Sequence, residues 1–154
     1  DVEVNGKHYA IDTGFIVFND WTYPNFIKLM DKIGVKSQAT EMSFSVKNIT
    51  QNLEYNGNTL NSLFAQRRNI LRPSFWRLVL DIVKFNKLCK AQIAENRETD
   101  NITLQAFISE HGLSEIFTKN YILPMCAEIW STSLEASANF PLSFFSKFLI
   151  IMVF

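Results

Sequence analysis

The feature that most constrains the fold is a stripe of seven apolar residues that begins just after Pro73. The stripe recurs at helical spacing and consists of Phe75, Leu78, Val79, Ile82, Phe85, Cys89 and Ile93. Such spacing brings side chains onto one face of an α-helix, and a proline suits the first helical turn. The sequence therefore predicts a long helix that buries this face. A chain of 154 residues with 47% hydrophobic content can supply the core that the face requires.

The chain before this helix carries strand signals. Asn5-Gly6 is typical of a tight hairpin turn, so residues 2–9 are predicted to form two short strands. Pro24 to Ile33 shows helical periodicity and is followed by Gly34, the residue type that most often ends a helix. Met42 to Val46 and Leu53 to Tyr55 are predicted to be two further strands joined by a turn.

The rest of the chain predicts helices and turns. Thr59 to Leu71 is predicted to be helical, with a break at Arg72 because the residue before a proline avoids helical geometry. Two later helices are predicted to begin after the capping residues Thr103 and Ser114. Residues 133–139 are also predicted to be helical, and a last helix is predicted to start at Pro141. Pro124 is predicted to kink or end its helix. The expected fold class is α+β, with a short strand-containing start and a mostly helical remainder.

Charge and cysteine content narrow the classes of partner. The formal net charge is zero, which gives no electrostatic reason to expect a nucleic-acid partner. The two cysteines, Cys89 and Cys126, form no metal-binding or redox motif, and we expect a reducing, cytoplasmic compartment. The 14 Phe, 3 Trp and 4 Tyr indicate a thick core or an apolar substrate channel, of which the core is the simpler interpretation.

The five glycines exclude one kind of nucleotide site. They are spread along the chain and no two are close together. A dinucleotide site needs clustered glycines so that the backbone and a helix N-terminus can reach the pyrophosphate. The residues given therefore contain neither a dinucleotide fingerprint nor a Walker loop.

Individual residues that could carry chemistry each have a simpler structural interpretation. Asp12 could orient backbone near a cofactor, or form an Asx-turn after a strand. His8 lies in a predicted strand, and His111 precedes a helix-ending glycine, where its charge is favourable without any catalytic role. Cys126 is expected to be a small buried side chain. No acid–base dyad, metal-ligand spacing or nucleophile triad is apparent in the sequence.

A basic cluster occupies the end of the predicted 59–71 helix and the long helix after it. It comprises Arg67, Arg68, Arg72, Arg77, Lys84, Lys87 and Lys90, with Asp81 as the one acidic residue among them. Such a cluster could grip phosphate or a lipid headgroup surface. The alternative is a solvated helix face.

Several stretches together resemble one branch of a known family. In chain order they are Asp12-Thr13-Gly14-Phe15-Ile16-Val17-Phe18-Asn19, Thr22-Tyr23-Pro24-Asn25, Glu41-Met42-Ser43-Phe44-Ser45-Val46, Leu53-Glu54-Tyr55, Leu63-Phe64-Ala65-Gln66-Arg67-Arg68-Asn69, Leu71-Arg72-Pro73, Leu123-Pro124-Met125, Ile129-Trp130-Ser131 and Phe140-Pro141. They resemble the bacterial FAD-dependent amine oxidoreductases, flavin amine oxidase-like NAD/FAD-binding proteins often associated with cyclopropane fatty-acid synthesis genes. The resemblance covers roughly residues 1–148.

This resemblance implies a flavoprotein oxidoreductase that oxidises or desaturates its substrate by hydride transfer to FAD. By position, the backbone of Gly14, Phe15, Ile16 and Val17 matches the segment that faces the flavin, whereas Trp130 receives no role. The family's Rossmann-like FAD-binding fold places the phosphate-binding glycines before the matched region, so the chain is expected to be an internal fragment that is inactive by itself. An apolar or lipid-like substrate and peripheral membrane contact are further expectations.

The resemblance also implies a partition of the chain. Residues 1–58 would be part of the FAD-binding domain, and residues 59–148 would form a helical substrate-side region. Residues 149–154 form an apolar tail where family members have an Asn-His-Gly-like stretch. A codon string such as ATA-ATC-ATG-GTT-TTT would encode Ile150 to Phe154 and, read two bases later, would encode Asn-His-Gly-Phe. We hypothesise a frameshift shortly before this tail.

Two interpretations from other classes remain open at the level of sequence. One is a non-enzymatic helical module that binds a partner or a membrane surface through the basic helix and the apolar C-terminus. The other is an inactive remnant of an oxidase gene.

Overall fold

The computed structural model describes residues 2–11, 17–20, 23–40, 43–95 and 101–145. The chain divides into two compact units, Asp1–Met42 and Ser43–Phe154. Each unit contains one two-stranded antiparallel sheet together with helix, so the α+β class is confirmed. The predicted functional partition at residue 58 stays a prediction.

The first unit begins with the predicted hairpin. Strand β1 (Val2–Val4) pairs with β2 (Lys7–Tyr9), and Val4 lies opposite Lys7. The two turn residues, Asn5 and Gly6, have φ angles of 54° and 73°. Two consecutive positive φ values define the turn that matches the twist of paired strands, and Asn-Gly tolerates them best. The hairpin predicted from these two residues is confirmed.

Helix α1 (Pro24–Ile33) has the predicted bounds. Pro24 occupies the first turn, and Gly34 ends the helix with φ 72°, in the left-handed region that glycine adopts without strain. The amide of Val35 donates to the carbonyl of Met30 at 3.0 Å, which closes the last turn. None of the helix residues is fully buried.

The second unit opens with another hairpin, formed by β3 (Ser45–Asn48) and β4 (Leu53–Asn56). Side chains alternate along it, so that Val46, Leu53 and Tyr55 are buried. The predicted first strand was placed slightly early: Ser43 and Phe44 are not in strand conformation, and Met42 lies outside the described residues.

The continuous helix predicted over residues 59–71 is wrong. Helix α2 (Leu60–Leu63) is one turn long, and a separate 3₁₀ helix spans Arg67–Leu71. Between them Gln66 is extended, with φ −80° and ψ 92°, and its side-chain oxygen accepts the backbone amide of Glu54 at 3.0 Å. The contact with the neighbouring hairpin thus competes with helix propagation, and apolar periodicity alone does not register that competition.

Helix α3 (Pro73–Ala94) is the predicted long helix. Its core-facing residues include Phe75, Leu78, Phe85 and Cys89, all fully buried, so the apolar stripe is confirmed for them. Arg72 is extended directly before Pro73, as the proline requires.

Four shorter helices and a terminal helical stretch complete the second unit: α4 (Leu104–Glu110), α5 (Glu115–Phe117), α6 (Leu123–Ile129), α7 (Leu134–Ala138) and residues 142–145. The hydroxyls of Thr103 and Ser114 accept backbone amides three residues later, which confirms the two predicted caps, and the hydroxyl of Ser133 caps α7 in the same way. A π-helical turn, Thr118–Ile122, joins α5 to α6. Pro124 therefore widens the helical hydrogen-bond pattern without ending the helix.

One hydrophobic core holds the second unit together. It draws on the β3–β4 hairpin and on the helices, and its largest fully buried members are Phe75, Phe85, Phe107, Phe117, Phe145, Leu78, Leu104, Ile122 and Leu142. Among the helices of the described residues, none combines the length and apolarity needed to cross a bilayer.

Candidate functional site

The cofactor-facing residues expected from the resemblance lie mostly outside the described part of the chain. Asp12, Gly14, Phe15 and Ile16 fall in an undescribed stretch of the first unit, so the structure leaves their predicted roles untested. Val17 is described and is half-buried. Of the predicted flavin-facing segment, the structure thus describes only the last residue, Val17.

Directly after Val17 the chain lines a notch of about 330 Å³ in the first unit. Its apolar lining comes from Phe18, Ile27, Met30 and Val35, and its polar lining from Asp20, Asp31, Lys36 and Ser37. The ring of Phe18 packs edge-on against Phe26 of α1, with a centroid distance of 5.0 Å and an interplanar angle of 73°. Edge-to-face packing holds an aromatic ring in a defined orientation.

The residues that line the notch are a mixture of apolar and charged side chains. This mixture joins an apolar surface to a few polar groups, which is how sites for flat organic ligands combine area with orientation. Among these residues, Asp20 and Asp31 carry acceptor oxygens, and Lys36 carries a donor ammonium group.

A buried asparagine on the π turn links the helices of the second unit to its hairpin. Asn120 is fully buried, and its Nδ2 donates to Gln51 Oε1 and to the Ile116 carbonyl, each at 3.0 Å. Its Oδ1 accepts from Asn48 Nδ2 at 2.7 Å. Every polar atom of this side chain has a protein partner, which indicates a structural role.

The π turn itself has an identifiable cause. Pro124 has no amide hydrogen to give to the carbonyl of Asn120, four residues earlier, and its ring would crowd that carbonyl. The Asn120 carbonyl accepts a hydrogen bond of 2.7 Å from the buried hydroxyl of Tyr55. The hairpin thus supplies a donor at the position where the helix lacks one.

Sequence analysis missed the role of Asn120. The signal available for it was a lone amide side chain within an apolar helical run, four residues before Pro124. Its long-range partners on the hairpin were not visible in that pattern.

The phenol and thiol groups of this region are poorly suited to acid–base or nucleophilic work at neutral pH. Burial, with a smaller contribution from the neighbouring Tyr121, raises the pKa of Tyr55 above its usual range. Burial also raises the pKa of Cys89 and that of Cys126 to about 12. Because the thiolate is the reactive form, both cysteines are inert side chains of the core, as expected for Cys126.

Most of the basic cluster is committed to hydrogen bonds within the second unit. Arg68 donates to the Asn52 carbonyl, and Arg72 donates to the carbonyls of Gln51 and Asn52 at 3.2 Å. These guanidinium groups fix the turn between β3 and β4. The structure therefore favours a structural role for them over a phosphate-binding one.

Two further cations of the cluster lie at the C-terminus of α4. Arg77 donates to the Gly112 carbonyl at 3.0 Å, and Lys84 donates to the His111 carbonyl. Carbonyls at the end of a helix carry partial negative charge, so cations there are stabilising.

Asp81 is the buried acid at this junction. It forms an ion pair with Arg77 at 3.0 Å and accepts hydrogen bonds from both the amide and the hydroxyl of Ser114. Burial acts to raise the pKa of Asp81, but the Ser114 hydrogen bonds and the Arg77 charge outweigh it, so the pKa is below its ordinary value. Asp81 is thus a permanently charged structural anchor at neutral pH.

Trp130 is the centre of an aromatic cluster. Its ring lies near those of Phe140, Phe144 and Phe145, at centroid distances of 5.9, 6.2 and 5.2 Å. The rings fill the space between one another, which makes this a packing cluster with Phe144 half exposed at its edge.

Histidine and acidic side chains do not assemble a metal site within the described ranges. No group of three or more His, Cys, Asp or Glu residues lies together there. His8 lies 3.9 Å from Glu3 on the exposed hairpin, and His111 packs edge-on against Phe107.

Comparison of the chain with protein-family models, with curated proteins and with solved structures gives no match.

Proposed function

We propose that the chain is a segment of a bacterial flavin-dependent oxidoreductase of the amine-oxidase type. Its parent would oxidise a substrate by moving a hydride from a substrate C–H bond to FAD and releasing a proton from the neighbouring atom to solvent, leaving a new double bond in the product. The observation that carries the proposal is the ordered series of family-like stretches between residues 1 and 148, above all Met42-Ser43-Phe44-Ser45-Val46 and Phe64-Ala65-Gln66-Arg67-Arg68-Asn69.

The geometry of the first unit supports this proposal at one point. The notch begins at Phe18, immediately after the stretch Gly14 to Val17 that the resemblance assigns to the flavin. The lining of the notch combines apolar side chains with three charged groups, a composition that suits a ring system with a polar edge. In a flavoprotein the cofactor supplies the redox chemistry, and the protein supplies orientation and a dry site.

The finer assignments belong to the same proposal. The fold would be a fragment of the Rossmann-like amine-oxidase architecture, with the helical second unit on the substrate side. The substrate would be apolar or lipid-like, and the parent cytoplasmic, with peripheral contact to a membrane. This segment alone would be catalytically inactive, because the phosphate-binding glycines are not among its residues.

A flavin titration tests the proposal with the chain as it stands. If the chain contacts only the flavin ring, it should quench the fluorescence of riboflavin, FMN and FAD with the same weak affinity. The purified chain should not be yellow, because no flavin stays bound through purification. Phe18→Ser should weaken all three equally, because Phe18 lines the notch. Phe144→Ser is the matched control, since Phe144 is a half-exposed phenylalanine of the second unit.

Two results would count against the proposal. The first is the absence of any flavin quenching that depends on Phe18. The second comes from DNA: the reading frame upstream of Asp1 should encode a strand followed by Gly-x-Gly-x-x-Gly. An unrelated coding sequence upstream of Asp1 would contradict the proposal that the chain is a segment of an oxidoreductase.

A further inference from the structure

The outward face of α3 carries a ridge of large apolar side chains. Trp76, Leu80 and Val83 follow one another at spacings of four and three, so they lie on one line along the helix, opposite the core-facing stripe. They expose 44%, 63% and 62% of their surface. We call these three residues the outer ridge.

The chain before α3 extends the apolar surface. Trp76 Nε1 donates to the Ile70 carbonyl at 2.8 Å, which brings the 3₁₀ helix alongside the ridge. Ile70 and Leu71 are exposed by 45% and 86%. A contiguous apolar surface of this kind marks an interaction site more often than isolated exposed residues do.

The ridge lies in the most basic part of the chain. Between Tyr55 and Ala94 there are seven basic residues and one acid, Asp81, although the whole chain has no net charge. Asp81 is buried and paired with Arg77, so these two charges cancel and the other six basic residues are left unbalanced within this range. Along the same helix line, Lys87 follows Val83 one turn later, and Lys84 lies beside it.

The shape and charge together indicate the partner. A side chain on the floor of a groove would be screened by the walls, whereas Leu80 and Val83 each expose more than 60% and therefore protrude. Peptide helices are usually received by grooves, while a protruding apolar stripe flanked by Lys and Arg suits the boundary between headgroups and acyl chains. We propose that the outer ridge docks on an anionic membrane surface, with α3 lying in the membrane plane.

Each part of this arrangement has a distinct task. Trp76, Leu80 and Val83 enter the apolar boundary, and Lys87 faces the headgroups, where its long stem lets the charge stay in water. Because headgroup attraction is Coulombic, added salt weakens it. This proposal is independent of flavin binding.

Co-sedimentation with vesicles tests it. The chain should bind phosphatidylcholine vesicles that contain phosphatidylglycerol and not pure phosphatidylcholine vesicles, and salt should release it. The double variant Leu80→Ser/Val83→Ser should bind at least about tenfold more weakly because it loses two inserted side chains. Lys87→Gln should weaken binding by about fivefold, the contribution of one cation near the surface.

Matched controls separate docking from folding. Ile49→Ser removes an equally apolar residue, 84% exposed in the β3–β4 turn, and Lys28→Gln removes an exposed cation of α1. Both controls should bind as the unchanged chain does, and all variants should keep its circular dichroism spectrum. Equal binding to neutral and anionic vesicles, or no binding to either, would overturn the proposal. So would binding that survives Leu80→Ser/Val83→Ser, or a concentration-dependent dimer that this variant abolishes.

Discussion

Replacing Tyr55 by phenylalanine should destabilise the second unit by about 2 kcal/mol. The Tyr55 side chain is 3% exposed, and its hydroxyl donates to the Asn120 carbonyl at 2.7 Å. Phenylalanine keeps the ring and its edge-on packing against Phe75, at a centroid distance of 5.8 Å, so the core volume is nearly unchanged. What remains is a buried carbonyl that has lost its donor, and leaving such a group unsatisfied costs about 1–3 kcal/mol.

Urea unfolding followed by far-ultraviolet circular dichroism and tryptophan fluorescence measures this cost. The midpoint should fall with an unchanged slope, because the same surface is exposed on unfolding. Tyr9→Phe is the control: Tyr9 is 43% exposed in β2, and its replacement should be neutral within about 0.5 kcal/mol.

A double-mutant cycle with Pro124→Ala tests whether the stability lost in Tyr55→Phe depends on the amide hydrogen that Pro124 lacks. Alanine restores an amide that can donate to the Asn120 carbonyl, so Tyr55→Phe should then cost less by at least about 1 kcal/mol. An equal cost in both backgrounds would refute the idea that Tyr55 compensates for Pro124. A Tyr55→Phe effect no larger than that of Tyr9→Phe would refute the structural role of the hydrogen bond itself.

Further predictions concern other buried groups and one turn. The pKa of Asp81 is lowered in the folded state, so its ionised carboxylate should stabilise the fold above the ordinary pKa of 3.8, and this stabilisation should decline as the pH falls through the folded-state pKa. Asp81→Asn should remove that part of the acid sensitivity when urea unfolding is compared at pH 7 and pH 3. Cys89 and Cys126 should not react with a thiol reagent at pH 8 until urea is added, and fast reaction without urea would contradict their burial. Since the folded-state pKa of each thiol is raised to about 12 from an ordinary 9, the free energy of unfolding should decrease as the pH rises between those values, and a cysteine-to-alanine variant should show a smaller decrease. Gly34→Ala should lower the stability of the first unit by about 1 kcal/mol. The cause would be backbone strain at φ 72°, because an added Cβ meets no atom within 4 Å. An unchanged thermal melt, followed by circular dichroism, would contradict that strain.

Local signals in the sequence were sufficient for the elements that depend on local physics. The Asn5-Gly6 turn, the bounds of α1 and the caps at Thr103 and Ser114 follow from the conformational preferences and hydrogen-bonding groups of those residues. These interactions span only a few positions, so pattern reasoning captures them.

The errors arose where distant residues decide the local conformation. The helix predicted over residues 59–71 breaks where Gln66 accepts from the amide of Glu54, and the π turn before Pro124, which was not predicted, lies where Tyr55 donates to the carbonyl of Asn120. Neither partner can be found from spacing along the chain, since the donor and acceptor are separated by 12 and 65 positions.

The candidate site was predicted only in part. Val17 is described, and the notch beginning at Phe18 was not anticipated, because it is built from the end of an extended stretch and one side of α1. The roles of Gly14, Phe15 and Ile16 stay predictions.

The junction formed by Arg77, Asp81 and Ser114 has a consequence for how the second unit opens. Arg77 holds the carbonyl of Gly112, just after α4, and Asp81 holds the amide of Ser114, the N-cap of α5, so one turn of α3 ties down the chain at residues 112–114. Unravelling either short helix from this end requires breaking bonds to α3 as well. Amide hydrogens on both sides of the turn should therefore exchange with solvent through one shared opening event, and a loop inserted there should disrupt both helices together.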